Sequence, residues 1–157
     1  MSRPTQFTID LQALCENART LKRLAGPRST MAVVKADAYG HGAVPCAKAL
    51  APLVDAFAVA IGEEAIALRE AGINLPILVL QGPHSRQEAQ VMSSAGLWPA
   101  ISSERQIDWL EQSGVQFERV WMKCDTGMHR LGFMPHEIAS ARSRLTTHSA
   151  NDIVLMS

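Results

Sequence analysis

Two lysines in this sequence stand where alternating βα proteins do their chemistry. Lys35 follows the apolar run 31–34 (MAVV), and Lys123 follows 120–122 (VWM). In a parallel sheet, functional groups gather at the C-terminal ends of strands. An amine at that place has two readings. It can snorkel out of the core edge on its alkyl stem. It can also sit partly desolvated, with a depressed pKa, and act as a nucleophile toward a carbonyl. Four residues after Lys35 comes the only tyrosine, Tyr39, and then His41 between Gly40 and Gly42. A phenol there can donate a hydrogen bond to a phosphate or pack with its hydroxyl in water. The glycines permit positive φ and close backbone approach.

The second stretch is KCDTGMHRLGF, residues 123–133. Asp125, Thr126 and Gly127 form a turn signal. Arg130 then falls in the loop after the strand. Its fork of donors can clamp a carboxylate with two parallel hydrogen bonds, or it can face water as a surface arginine. Other chemistry is thin. The five histidines (41, 84, 129, 136 and 148) show no metal-ligand spacing, so no metal site is expected. Neither a nucleotide-binding glycine loop nor a nucleophile elbow occurs. Glu63 and Glu64 open a helix, where acids complement the macrodipole, and read as structural.

The elements that must position these residues alternate simply. Residues 5–9 look extended. Asp10 caps a helix whose apolar positions recur at helical spacing to Ala25, before Gly26-Pro27 ends it. Strands are expected at 31–35, 56–61, 76–81, 98–102, 119–124 and 152–157, the first buried on both faces. Helices are expected between them at 43–51, 63–71, 85–95, 103–113 and 135–146. Ser85 with Glu88 and Ser103 with Gln106 have capping-box spacing, and Pro135 suits a first helical turn. Strand starts recur at intervals of 20 to 33 residues. That rhythm means βα repeats with right-handed crossovers and a parallel sheet, either doubly wound or a (β/α)8 barrel.

Composition narrows the class. Fifteen basic and fifteen acidic residues balance, which speaks against nucleic acid as a partner. Three widely spaced cysteines without a CxxC pattern read as reduced thiols. No apolar run approaches the ~20 residues needed to span a bilayer, and the N-terminus lacks a signal-peptide core. A cytoplasmic protein with no membrane association is the expectation.

Together the two stretches resemble the alanine racemase family. VVKADAYGHG (33–42) is similar to its cofactor-lysine motif, and the segment from Lys123 to Gly132 to its K-x-D-T-G-M-x-R-x-G motif. The resemblance covers essentially the whole chain. It implies an α/β fold: an incomplete (β/α)8 TIM-type barrel of about five βα units plus a sixth strand. Residues 1–157 would be the N-terminal portion of a single pyridoxal-phosphate-binding barrel domain, with the family's C-terminal β domain absent. It implies that Lys35 forms an aldimine with pyridoxal 5′-phosphate and moves the α-proton of alanine on one face. Tyr39 would lie near the cofactor phosphate and Arg130 would hold the substrate side. The lysine matching Lys123 is carbamylated in some members, which would turn a cation into an anion able to orient Arg130. A homodimer is implied, because the opposite-face tyrosine comes from the partner subunit. Two departures stand out. Position 129 is histidine where many members have glycine or another small or polar residue. The sequence given stops at Ser157, one residue short of the family's His-Phe-Ala segment, so this portion is expected to be inactive on its own. A pyridoxal-phosphate decarboxylase or a non-catalytic cofactor-binding barrel remnant is the alternative reading.

Overall fold

The computed structural model describes residues 6–157. Six strands form one parallel sheet in sequential order: β1 (Met31–Val33), β2 (Ala56–Val59), β3 (Ile77–Val79), β4 (Trp98–Ile101), β5 (Phe117–Lys123) and β6 (Ala150–Met156). The helices are α1 (Leu11–Ala25), α2 (Lys35–Gly40), α3 (Ala43–Leu50), α4 (Gly62–Glu70), α5 (Arg86–Ser94), α6 (Glu104–Ser113) and α7 (Ile138–His148). A sequential parallel order with right-handed crossovers puts every crossover helix on one side of the sheet. This is the winding of a barrel. A doubly wound sheet reverses its strand order to cover both faces.

The packing follows. One apolar cluster joins outward strand residues such as Phe57, Ile77 and Val120 to helix residues such as Leu68, Met92, Leu110 and Leu145. The other contains no helix residue: Ala56, Ala58, Leu78, Trp98 and Ala100, backed by Met31, Leu80, Trp121 and Met156. Strands β2, β3 and β4 are buried along their whole length, as their unbroken apolar runs require. On the inner face Trp98 and Trp121 stack with ring centroids 6.4 Å apart. The Arg119 guanidinium lies 4.7 Å over Trp98 and pairs with Asp152 at 2.7 Å.

Several boundaries differ from the sequence expectation. Residues 6–9 form no strand, and Thr5 lies outside the described residues. Strand β1 ends at Val33, and it is not buried on both faces, since Val33 is 43% exposed on an edge strand. Strand β5 starts at Phe117, whose N–H reaches the Ser149 carbonyl, although exposed Glu118 interrupts the apolar run. Helix α7 starts at Ile138. Pro135 lies instead in a turn closed by the Glu137 carboxylate, which accepts the Met134 N–H at 2.7 Å. Asp10 caps α1 as expected, accepting from Gln12 and Ala13. Ser85 caps α5. Ser103 makes no side-chain cap bond.

Candidate active site

Lys35 stands where β1 stops. The Val34 N–H still reaches the Ala58 carbonyl at 2.9 Å, and then the chain changes hand. Ala36, Asp37, Ala38 and Tyr39 all have φ between 52° and 55°. Four consecutive left-handed non-glycine residues cost roughly 1–2 kcal/mol each, so the surroundings must hold them. Three side chains do. Glu64 Oε1 accepts the Ala36 N–H at 2.6 Å. Asp37 Oδ1 accepts the Ala43 N–H at 2.7 Å. His41 donates its Nδ1–H to the Ala38 carbonyl at 2.9 Å. Gly40 and Gly42, at φ 83° and 89°, complete the turn.

The second loop is a closed excursion. Lys123 ends β5 and faces the same side as Trp121, two residues earlier. The Phe133 N–H returns to the Lys123 carbonyl at 2.9 Å, and the Asp125 N–H donates to the Phe133 carbonyl at 2.8 Å. Inside the loop, Asp125 Oδ1 accepts from the Gly127 and His129 N–H groups, both at 3.0 Å. Its Oδ2 lies 3.1 Å from His129 Nδ1. The His129 and Gly127 backbone bonds hold the Asp125 carboxyl below the usual carboxylate range. His129 itself has φ 55°, a backbone state that glycine adopts without strain.

These loops meet. Lys35, Lys123 and Arg130 line one cleft of about 610 Å³ at the C-terminal end of the sheet, with Leu80, Asp125 and Met156 among its walls. Asp125 is committed to its own turn, so three cations face the cleft against one engaged carboxylate. Such a lining favours an anionic ligand, and a primary amine among them can add to a carbonyl. Tyr39 is placed elsewhere. It is 61% exposed and lines a neighbouring cavity of about 450 Å³ with Phe7 and Cys46, between the start of α1 and the Lys35 turn.

The position of Glu64 at the start of a helix predicts only a match to the helix dipole. Glu64 does sit in the first turn of α4, but its carboxylate also spans two strand ends, taking the Ala60 N–H on Oε2 at 2.7 Å. Gln106 is similar. Its spacing from Ser103 predicts a capping box; instead its side chain accepts the Ser102 N–H at 2.8 Å and donates to the Gln81 carbonyl at 2.6 Å. The position of an acid or amide at the third residue of a helix was visible in the sequence. Its partner on the preceding strand's loop was not. Among the described residues, no three His, Cys, Asp or Glu side chains converge as a metal site would need, and no helix is long and apolar enough to cross a membrane.

The profile described as "Alanine racemase, N-terminal domain" matches residues 9–157. An alanine racemase of Xanthomonas oryzae pv. oryzae is 49% identical over 144 residues, covering 91% of this chain and 39% of that protein. The catabolic alanine racemase of Pseudomonas aeruginosa is 44% identical over 157 residues, covering 99% of this chain and 44% of that protein. Among solved structures, the biosynthetic alanine racemase from Pseudomonas aeruginosa superposes with a TM-score of 0.84 at 35% identity, over 91% of this chain and 41% of that one. The chain therefore spans about two fifths of the length of these relatives.

Proposed function

Because the chain belongs to the alanine racemase family, we propose that residues 1–157 are the N-terminal portion of one pyridoxal-phosphate-binding barrel domain, in a protein that interconverts L- and D-alanine. The observation that carries this reading is the convergence of Lys35, Lys123 and Arg130 on one cleft. The donor set fits the cofactor: a primary amine for its aldehyde and a cationic wall for its anionic groups. Pyridoxal 5′-phosphate, when bound, supplies an electron sink that acidifies the Cα hydrogen of an amino acid.

The chain's own residues do the rest. Lys35 would hold the cofactor through its amine, and that amine, when free, would remove or return the proton at the alanine Cα on one face. The left-handed turn after it fixes where the amine enters the cleft. Arg130 holds the substrate side with charge-assisted hydrogen bonds. Tyr39, which lines the adjoining cavity here, would have to turn its hydroxyl toward the cleft to meet the phosphate. Lys123, if carbamylated, becomes an acceptor that orients the Arg130 guanidinium. The acid–base group for the opposite face comes from a second subunit of a homodimer. The free thiols of Cys15, Cys46 and Cys124 suit a reducing cytoplasm. A decarboxylase or a non-catalytic barrel remnant is not favoured, since the relatives compared above are alanine racemases.

Borohydride reduction of the full-length protein should fix pyridoxal phosphate to the peptide containing Lys35. Lys35→Ala should lose both the bound chromophore and racemisation of L-alanine. A label on Lys123, or no label at all, refutes the assignment.

A further inference from the structure

We propose that Glu64 is a positioning residue for Lys35: its carboxylate bridges the ends of β1 and β2 and sets the direction in which the lysine amine enters the cleft. This rests on the reading of Lys35 as the cofactor-bearing residue.

Glu64 is the third residue of α4, a place from which a glutamate ordinarily turns back to its own helix cap. That bond is the long one here, 3.4 Å to the Ile61 N–H. The short bonds go elsewhere. Oε2 takes the Ala60 N–H at 2.7 Å, at the end of β2. Oε1 takes the Ala36 N–H at 2.6 Å, at the residue directly after Lys35 and the first of the left-handed run. An N–H at the start of a helical turn has no partner within the turn. Glu64 therefore fixes the peptide group on the C-terminal side of Lys35, whose rotation would swing the lysine.

Gln106 gives an internal comparison. It holds the same third position in α6 and also reaches sideways, to the loop after β3. There the loop offers carbonyls, Gln81 O at 2.6 Å and Pro83 O at 3.3 Å, and the side chain is an amide that can donate. Here the loop after Lys35 offers the Ala36 N–H and the end of β2 the Ala60 N–H, and the side chain is a carboxylate that only accepts. The chemistry of each side chain matches the polarity of the backbone it meets. Glu64→Gln keeps size and shape but can turn an NH2 donor against an N–H donor.

The test uses the full-length holoenzyme with Glu64→Gln, Glu64→Asp and, as a control on the same helix turn, Glu63→Gln. Activity is expressed per cofactor fixed to Lys35 by borohydride. Glu64→Gln should lower kcat about tenfold to hundredfold, the scale of a misplaced catalytic group, with KM for L-alanine within about twofold. Its lysine-bound cofactor band should shift or broaden. Glu64→Asp, one methylene shorter, should fall between it and wild type, and Glu63→Gln should match wild type. If the Gln variant does not fold, the Asp variant decides by the same ratio. Wild-type kcat per fixed cofactor in the Glu64 variants, with only a lower melting temperature, overturns the proposal and makes Glu64 a structural cap. Cofactor fixed to a lysine other than Lys35 in the wild type instead overturns the proposed function, and is visible before any variant is made.

Discussion

Arg130 owes its place to a glycine two residues on. At Gly132 φ is 127°, and an added Cβ would lie 2.7 Å from the Asp125 nitrogen and 2.9 Å from the Cys124 carbonyl carbon. Both neighbours are backbone, so neither can swing aside. Gly132→Ala should therefore displace the loop that carries Arg130 without touching the guanidinium. In the full-length enzyme it should lower catalytic efficiency toward alanine by tenfold or more, roughly the loss expected when a charge-assisted hydrogen bond goes, while cofactor stays fixed to Lys35. Steady-state kinetics beside borohydride labelling checks both halves. If cofactor is lost and the remaining holoenzyme keeps normal efficiency, the loop serves the phosphate side instead. Much of this was legible: the turn at Asp125, the position of Arg130 and the histidine at 129 could all be read from the chain. The left-handed run from Ala36 to Tyr39 could not. Alanine, aspartate and tyrosine carry no glycine-like preference for that conformation, and the groups that impose it are Asp37, His41 and a glutamate 28 residues away.

Between elements, the connections at the opposite end of the sheet depend on one arginine. Arg69, in the last turn of α4, donates Nη1 to the Ile73 and Leu75 carbonyls at 2.8 and 2.6 Å, Nε to Ala95 at 3.2 Å and Nη2 to Gly96 at 3.3 Å. It so joins the loop before β3 to the loop before β4. Burial pulls its guanidinium below the ordinary value, yet an arginine remains charged. Arg69→Ala should destabilise by about 3 kcal/mol, since several carbonyls lose their donor. Arg69→Lys should recover only part, because one ammonium cannot reach both loops. Equilibrium denaturation, with a lowered midpoint at unchanged slope, measures this. A midpoint shift close to zero would make the four bonds incidental. The order and type of the elements were legible because each apolar run is short and bounded by glycine, proline or a polar cap. Their ends were less so. Pro135 allows a helical first turn equally well as the turn that Glu137 closes, and the β5 pairing begins at Phe117, set off from the apolar run by two charged residues, Glu118 and Arg119.

For the molecule as a whole, the rhythm of βα units left two windings open, because both produce the same spacing along the chain. Strand order decides between them, and strand order depends on pairings between segments 20 or more residues apart, such as Met31 with Ala56. The sequential order leaves β1 and β6 at the two edges and gathers the small residues Ala56, Ala58 and Ala100 opposite two indoles on the inner face. Those indoles make the inner face observable by light. Trp98 and Trp121 are inclined at 29° with a fixed offset, so their transition dipoles should couple and split the circular-dichroism band of each. Trp109, on α6 beneath Arg105, stands apart from them. Trp98→Phe or Trp121→Phe should each erase the split band, and Trp109→Phe should leave it. On heating, the disappearance of that band would date the opening of the sheet's concave side separately from the melting of its helices.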